Sequence, residues 1–159
     1  MAFSIMSNRD FLKDEYFKLQ DQYEEYDSRA LQIKGWIGAG SVAGLAIGLD
    51  PANSDSGTIW ILISAISACF WYLEAKWKLF QYALRGRIKL IEAYFRSGNG
   101  QLKDSNNEPA PLQIYESWFE YYDSSLRSLF WAGRQTFVHL PYSLIILICL
   151  VLYLRDTLM

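Results

Sequence analysis

Charge is distributed along this chain so unevenly that its placement, more than any motif, limits what the chain can fold into. Of 32 Asp, Glu, Lys and Arg residues, positions 35–73 hold two and positions 135–154 hold none. Those 59 residues carry two charges, and the other 100 carry thirty. An ionised side chain at the centre of a bilayer costs about 2.5–3.5 kcal/mol even on the lenient insertion scale, so a bilayer imposes this kind of segregation. The averages conceal it, because 159 residues that are 52% hydrophobic with net charge −2 would suit one small soluble domain. The pattern predicts an all-α fold: a polytopic membrane protein with three transmembrane helices and a cytoplasmic helical bundle.

The expected hairpin occupies 31–77, with one span over 31–49 and a second over 58–77, separated by a breaker string at 50–57 that contains Pro51 and Gly57. The third span lies in 135–159, covering 136–154 with a short tail after it. Each approaches the ~20 residues that cross a ~30 Å hydrocarbon core at 1.5 Å per residue. The turn carries Asp50 and Asp55 but no Lys or Arg, whereas Lys76, Lys78, Arg85, Arg87, Lys89, Arg127 and Arg134 lie on the other side. The positive-inside rule then puts the turn and the C-terminus outside and the N-terminus in the cytoplasm. Residues 1–34 contain no apolar core followed by a small-residue cleavage site, so no cleaved signal peptide is expected. Pro141 falls near the start of the third span, where a missing backbone donor costs least.

Outside the spans the periodicity is helical. Leu12, Tyr16, Leu19, Tyr23, Tyr26, Ala30 and Ile33 alternate four- and three-residue steps, a heptad stripe that makes 1–30 a cytoplasmic amphipathic helix entering the first span. Phe80, Leu84, Ile88, Ile91 and Phe95 extend the second span as a helix through 78–97, with Glu74 placed to support Lys78 one turn on. The two stripes can pair. Positions 98–111, rich in Gly, Asn and Pro, read as a loop. Leu112, Tyr115, Phe119, Tyr122, Leu126 and Leu129 then predict one further amphipathic, aromatic-rich helix over 112–134, which either packs on the first two, the favoured reading given its acidic polar face, or lies at the headgroup boundary.

Little in the sequence suggests catalysis. The sole histidine, His139, has no acidic neighbour, no Cys/His cluster has metal-ligand spacing, and Gly98 and Gly100 lack the Lys-Ser/Thr of a phosphate loop. No catalytic residue, cofactor or metal is expected, and the protein reads as a non-enzyme. A sequence pI near 5.4 without a basic run offers no footprint for direct nucleic-acid binding. Cys69 and Cys149 sit in apolar segments, where both are expected to be small buried hydrophobes. The most specific pattern is Gly40, Gly44 and Gly48, two overlapping GxxxG units that suit helix packing, either within the chain or between protomers of a homo-oligomer. Reading the spans as free of charge, any channel would have to be built by oligomerisation, with Ser64, Ser67 and His139 among the polar residues facing it or the interface. Arg85, Arg87 and Lys89 form a candidate contact for an acidic partner, or serve simply as positive-inside anchors.

The segments EEYDSRALQIKGW (24–36) and WYLEAKWKLFQYALRGRIKLIEAYF (71–95), a helix entering a tight hairpin and a long helix leaving it, give the chain a layout that resembles the SLATT-type membrane proteins of bacterial conflict systems over about residues 8–96. The third span and the aromatic helix before it depart from the minimal two-span form. The resemblance implies an oligomeric effector of antiphage defence in the bacterial inner membrane, in contact with lipid and with a cytoplasmic sensor or signalling protein. When triggered through its cytoplasmic helices, such an effector perturbs membrane integrity or ion permeability. The alternative is a non-conducting membrane anchor or assembly subunit that recruits a soluble partner.

Overall fold

The computed structural model describes residues 7–52, 55–97, 102 and 110–158, and all regular structure among them is helical. Five helices follow one another: α1 Asn8–Gly48, α2 Ser56–Ser97, α3 Ile114–Tyr121, α4 Leu126–Gly133 and α5 Thr136–Leu158. By length and composition α1, α2 and α5 can each cross a membrane. The chain divides into two compact units, Met1–Asp27 with Leu79–Ser124 and Ser28–Lys78 with Ser125–Met159, so α1 and α2 each contribute a segment to both. Of the expected loop over 98–111, only Leu102, Ala110 and Pro111 lie within the described residues, and Asn53 and Ser54 of the turn also lie outside them.

Local chemistry sets the helix ends. Ser7 and Asp10 cap α1 reciprocally: Ser7 N and Oγ donate to Asp10 Oδ2 at 3.1 and 2.8 Å, and Asp10 N donates to Ser7 Oγ at 3.3 Å. These bonds from Ser7 hold the Asp10 carboxyl below its ordinary value of 3.8. At the other end Pro51 cannot continue the helix, and Ala52 N donates to Asp50 Oδ1 at 2.9 Å in a tight turn.

In the first unit the heptad stripe does the packing. Leu12 and Leu19 of α1 are buried with Leu84 and Ile91 of α2 and with Leu102, and Tyr16, Tyr26, Ile88 and Trp118 close around them. Each such aliphatic side chain contributes about 1.5–3 kcal/mol when withdrawn from water. The pairs Tyr16–Glu92 and Tyr23–Gln81 show α2 descending as α1 ascends.

The single helix expected over 112–134 is two helices. Tyr122 is extended, and Ser125 caps α4 by accepting a hydrogen bond from Ser128 N at 3.2 Å. The run Asp123-Ser124-Ser125 favours a cap over a helix interior because its short polar side chains compete for backbone donors. Leu112 stands outside α3 in the left-handed region at φ 64°. The expected packing stripe is also displaced. Leu112, Tyr115 and Phe119 are exposed, while Ile114, Ser117 and Trp118 face the first unit's interior. Trp118 stacks on Tyr122 with centroids 4.7 Å apart. Gly86 in α2 leaves room for the Tyr121 ring, which a Cβ there would overlap.

In the second unit Ile33, Ile37 and Tyr142 form one core with Phe70, Trp71 and Trp77, and Trp60, Ile63 and Cys149 form another with Leu45 and Tyr153. Pro141 is the sixth residue of α5, which continues through it.

Candidate functional site

The interior of the second unit is polar along three seven-residue repeats. Two turns of helix separate Lys34, Ser41 and Gly48 on α1, Trp60, Ser67 and Glu74 on α2, and Tyr142, Cys149 and Asp156 on α5. Each step advances about 10.5 Å along a helix at 1.5 Å per residue and returns to nearly the same face.

At one end Glu74, 2% exposed, accepts a hydrogen bond from Tyr142 Oη at 2.7 Å on Oε2. The Lys34 ammonium lies 2.8 Å from Oε1, outside good hydrogen-bonding angles, so that contact is Coulombic. The Phe137 ring lies 5.9 Å from Lys34 Nζ and 4.9 Å from Lys78 Nζ, placing two cations on one aromatic ring. At the middle position Ser41, Ser67 and Cys149 are all buried, whereas Cys69, expected to be buried as well, is exposed on the outer face of α2. Ser64 hydrogen-bonds Cys149, whereas Ser67 Oγ has no hydrogen-bond partner among the described residues. At the far end Asp156 Oδ2 accepts from Trp60 Nε1 at 2.9 Å and from Ser56 Oγ at 2.6 Å, and the Trp60 ring occupies the space where a Gly48 Cβ would lie.

The first unit has its own buried ion pair. Arg87, 1% exposed, donates from Nε to Glu15 Oε1 at 2.9 Å and from Nη2 to Oε2 at 3.2 Å, a two-point match of planar groups. Nη2 also reaches Ala110 O at 2.9 Å, and Leu112 N donates to Glu15 Oε2 at 2.8 Å. The pair therefore fixes the segment leading into α3, and Leu112 adopts its left-handed backbone where its amide meets the carboxylate.

These contacts redistribute the residues singled out from sequence. Arg85 and Lys89 are exposed, but Arg87 is consumed inside the first unit and is no part of an open basic surface with them, because residues two apart on a helix face nearly opposite ways. Of the three glycines, Gly48 packs against Trp60, and a Cβ on Gly44 would come within 2.7 Å of Ile63 Cδ1. Gly40 is exposed and a Cβ there would meet nothing. Ser64 and His139 are half-buried, and His139 Nδ1 lies 3.1 Å from both Arg134 O and Gln135 O in the turn before its own helix.

Sequence reasoning missed the Lys34–Glu74–Tyr142 cluster. Reading the spans as uncharged overlooked Lys34 within 31–49 and Glu74 within 58–77, which lie 2.8 Å apart. The signal available was the seven-residue recurrence of polar side chains along three apolar helices.

No protein-family model, curated protein or solved structure matches this chain. Fold and site therefore define a class: an all-helical protein with three helices fit to cross a membrane and a buried ion pair in each compact unit.

Proposed function

We propose that this protein is an oligomeric inner-membrane effector of the SLATT type, in which α1, α2 and α5 span the bilayer and the first unit is a cytoplasmic helical bundle that receives the triggering signal. The observation that carries membrane insertion is the inverted polarity of the second unit. Leu31, Trp36, Val42, Ile47, Leu62, Leu144 and Val151 are exposed while Ser41, Ser67, Glu74 and Lys78 are buried. Lipid tails solvate exposed apolar side chains and leave polar atoms no partner but one another, which is the opposite of what water selects. The effector role rests on the likeness in layout over residues 8–96, and the orientation on Lys and Arg placement.

Oligomerisation has a specific candidate surface in this reading. Gly44 and Gly48 are committed within the chain, whereas Gly40 faces outward with space for a neighbouring backbone. The test combines light scattering of the nanodisc-embedded protein with potassium efflux from proteoliposomes. A discrete oligomer that leaks, with both properties lost in Gly40→Leu, is the expected outcome. A monomer that stays impermeable under a potassium gradient, although resistant to carbonate extraction, would overturn the effector reading in favour of a non-conducting anchor for a soluble partner. Release by carbonate would overturn membrane insertion itself.

A further inference from the structure

We infer that the groove between α2 and α4 is a binding site for one anionic phospholipid, with an acyl chain along the groove and its phosphate at Arg134. The inference rests on the reading that the second unit lies in a membrane. The groove is about 760 Å³, within the range of about 300–1,000 Å³ typical of small-ligand sites. Its walls are Trp71 and Ala75 of α2 and Leu129, Phe130 and Gly133 of α4. The two helices are held at this spacing by the Trp71 Nε1 hydrogen bond to Gly133 O at 2.9 Å, and a Cβ on Gly133 would already touch Ala75 Cβ at 3.5 Å.

The groove lining is mostly apolar. Among the described residues, Arg134 and His139 are the basic ones that line it, and none of the lining residues is a carboxylate. Arg134 is exposed, while its carbonyl accepts from His139 Nδ1, so the imidazole is anchored with its Nε2 edge turned from that bond. An apolar groove with an exposed arginine in its lining is complementary to a molecule with a long hydrocarbon chain and an anionic head. α4 suits a headgroup-level position as well. Leu126, Phe130 and Trp131 are exposed on a helix that also carries Arg127.

The experiment is native mass spectrometry of the full chain in detergent, titrated with phosphatidylglycerol or phosphatidylcholine of the same acyl length. One phosphatidylglycerol is expected to be retained about fivefold more strongly, the effect of one cation near an anionic headgroup. Arg134→Gln is expected to remove that preference while leaving the weaker phosphatidylcholine signal. Ala68→Trp, which fills the groove from an exposed lining position, is expected to abolish both. Equal retention of the two lipids, or a preference that survives Arg134→Gln, would overturn the inference. So would competition by inorganic phosphate alone, which would mark a headgroup site without a chain, or dimerisation that excludes lipid, which would make a second copy the occupant. Resistance to carbonate extraction, measured on the same protein, separates failure of this site from failure of membrane insertion.

Discussion

Replacing Glu74 by glutamine leaves the shape of the second unit's ionic cluster nearly unchanged and removes one charge from it. Lys34 then loses the carboxylate 2.8 Å from its ammonium, and Tyr142 exchanges a charged acceptor for a neutral one. Breaking a buried ion pair by removing one partner costs about 3–5 kcal/mol, and weakening a hydrogen bond from a charged to a neutral acceptor costs about 1 kcal/mol more. Lys34 retains 18% of its side-chain exposure and can draw its ammonium toward solvent, which places the expected loss at the lower end, about 3 kcal/mol. The assay is reversible denaturation of the protein in mixed micelles, followed by Trp fluorescence. The informative comparison is the triple variant Lys34→Met, Glu74→Leu, Tyr142→Phe, which removes every polar atom of the cluster. Replacing a buried pair with apolar groups is often neutral or stabilising by about 1–4 kcal/mol, so the triple variant is expected to recover most of the loss. A Glu74→Gln penalty below about 1 kcal/mol, or a triple variant less stable than the single one, would refute the argument that desolvated charge dominates this cluster.

Three further outcomes follow from individual contacts. In protein dissociated to the monomer, Gly48→Ala drives a methyl into the Trp60 ring and is expected to cost about 1–3 kcal/mol, whereas Gly40→Ala meets open space within the chain and is expected to gain about 0.5–1 kcal/mol of helix propensity; equal effects in the same denaturation assay would contradict the packing described. Leu112→Gly is expected to stabilise the first unit by about 1 kcal/mol, since the left-handed backbone no longer strains a Cβ and the lost side chain is exposed; Arg87→Met, which strands Glu15, is expected to cost about 3–5 kcal/mol, and hydrogen exchange at α3 reads both. Because the folded Asp10 carboxyl is held below its ordinary 3.8, its contribution to the α1 cap is full above that value and disappears as pH falls through the lowered one; amide exchange in the first turn of α1 should rise over that window in the native chain and show no such step in Asp10→Asn.

Helix existence was legible in the sequence where periodicity was long. The stripe from Leu12 to Ile33 is buried or half-buried at every position, and α2 runs through the polarity change near Lys76 as a continuous helix. Over 112–134 the regular apolar spacing predicts one packing face, and the structure departs from it. The capping preference of Asp123-Ser124-Ser125 broke the helix, and the packing fell to Ile114 and Trp118, one residue out of register with the expected stripe. The candidate site was less legible still. Arg85, Arg87 and Lys89 look equivalent in a sequence, yet a helix turns successive odd positions about 200° apart, so one of them faced inward.

What the sequence determined by itself is the helical character of the chain and the placement of three segments apolar enough to cross a membrane, because these depend on local composition and period alone. Which polar groups meet could be decided only by tertiary packing. Lys34, Glu74 and Tyr142 lie 40 and 68 residues apart, and nothing local brings the three together. The same holds for Glu15 and Arg87, 72 residues apart, and for the separation of Gly40 from Gly48, since an identical residue is an open surface or a filled contact according to the helix that packs against it.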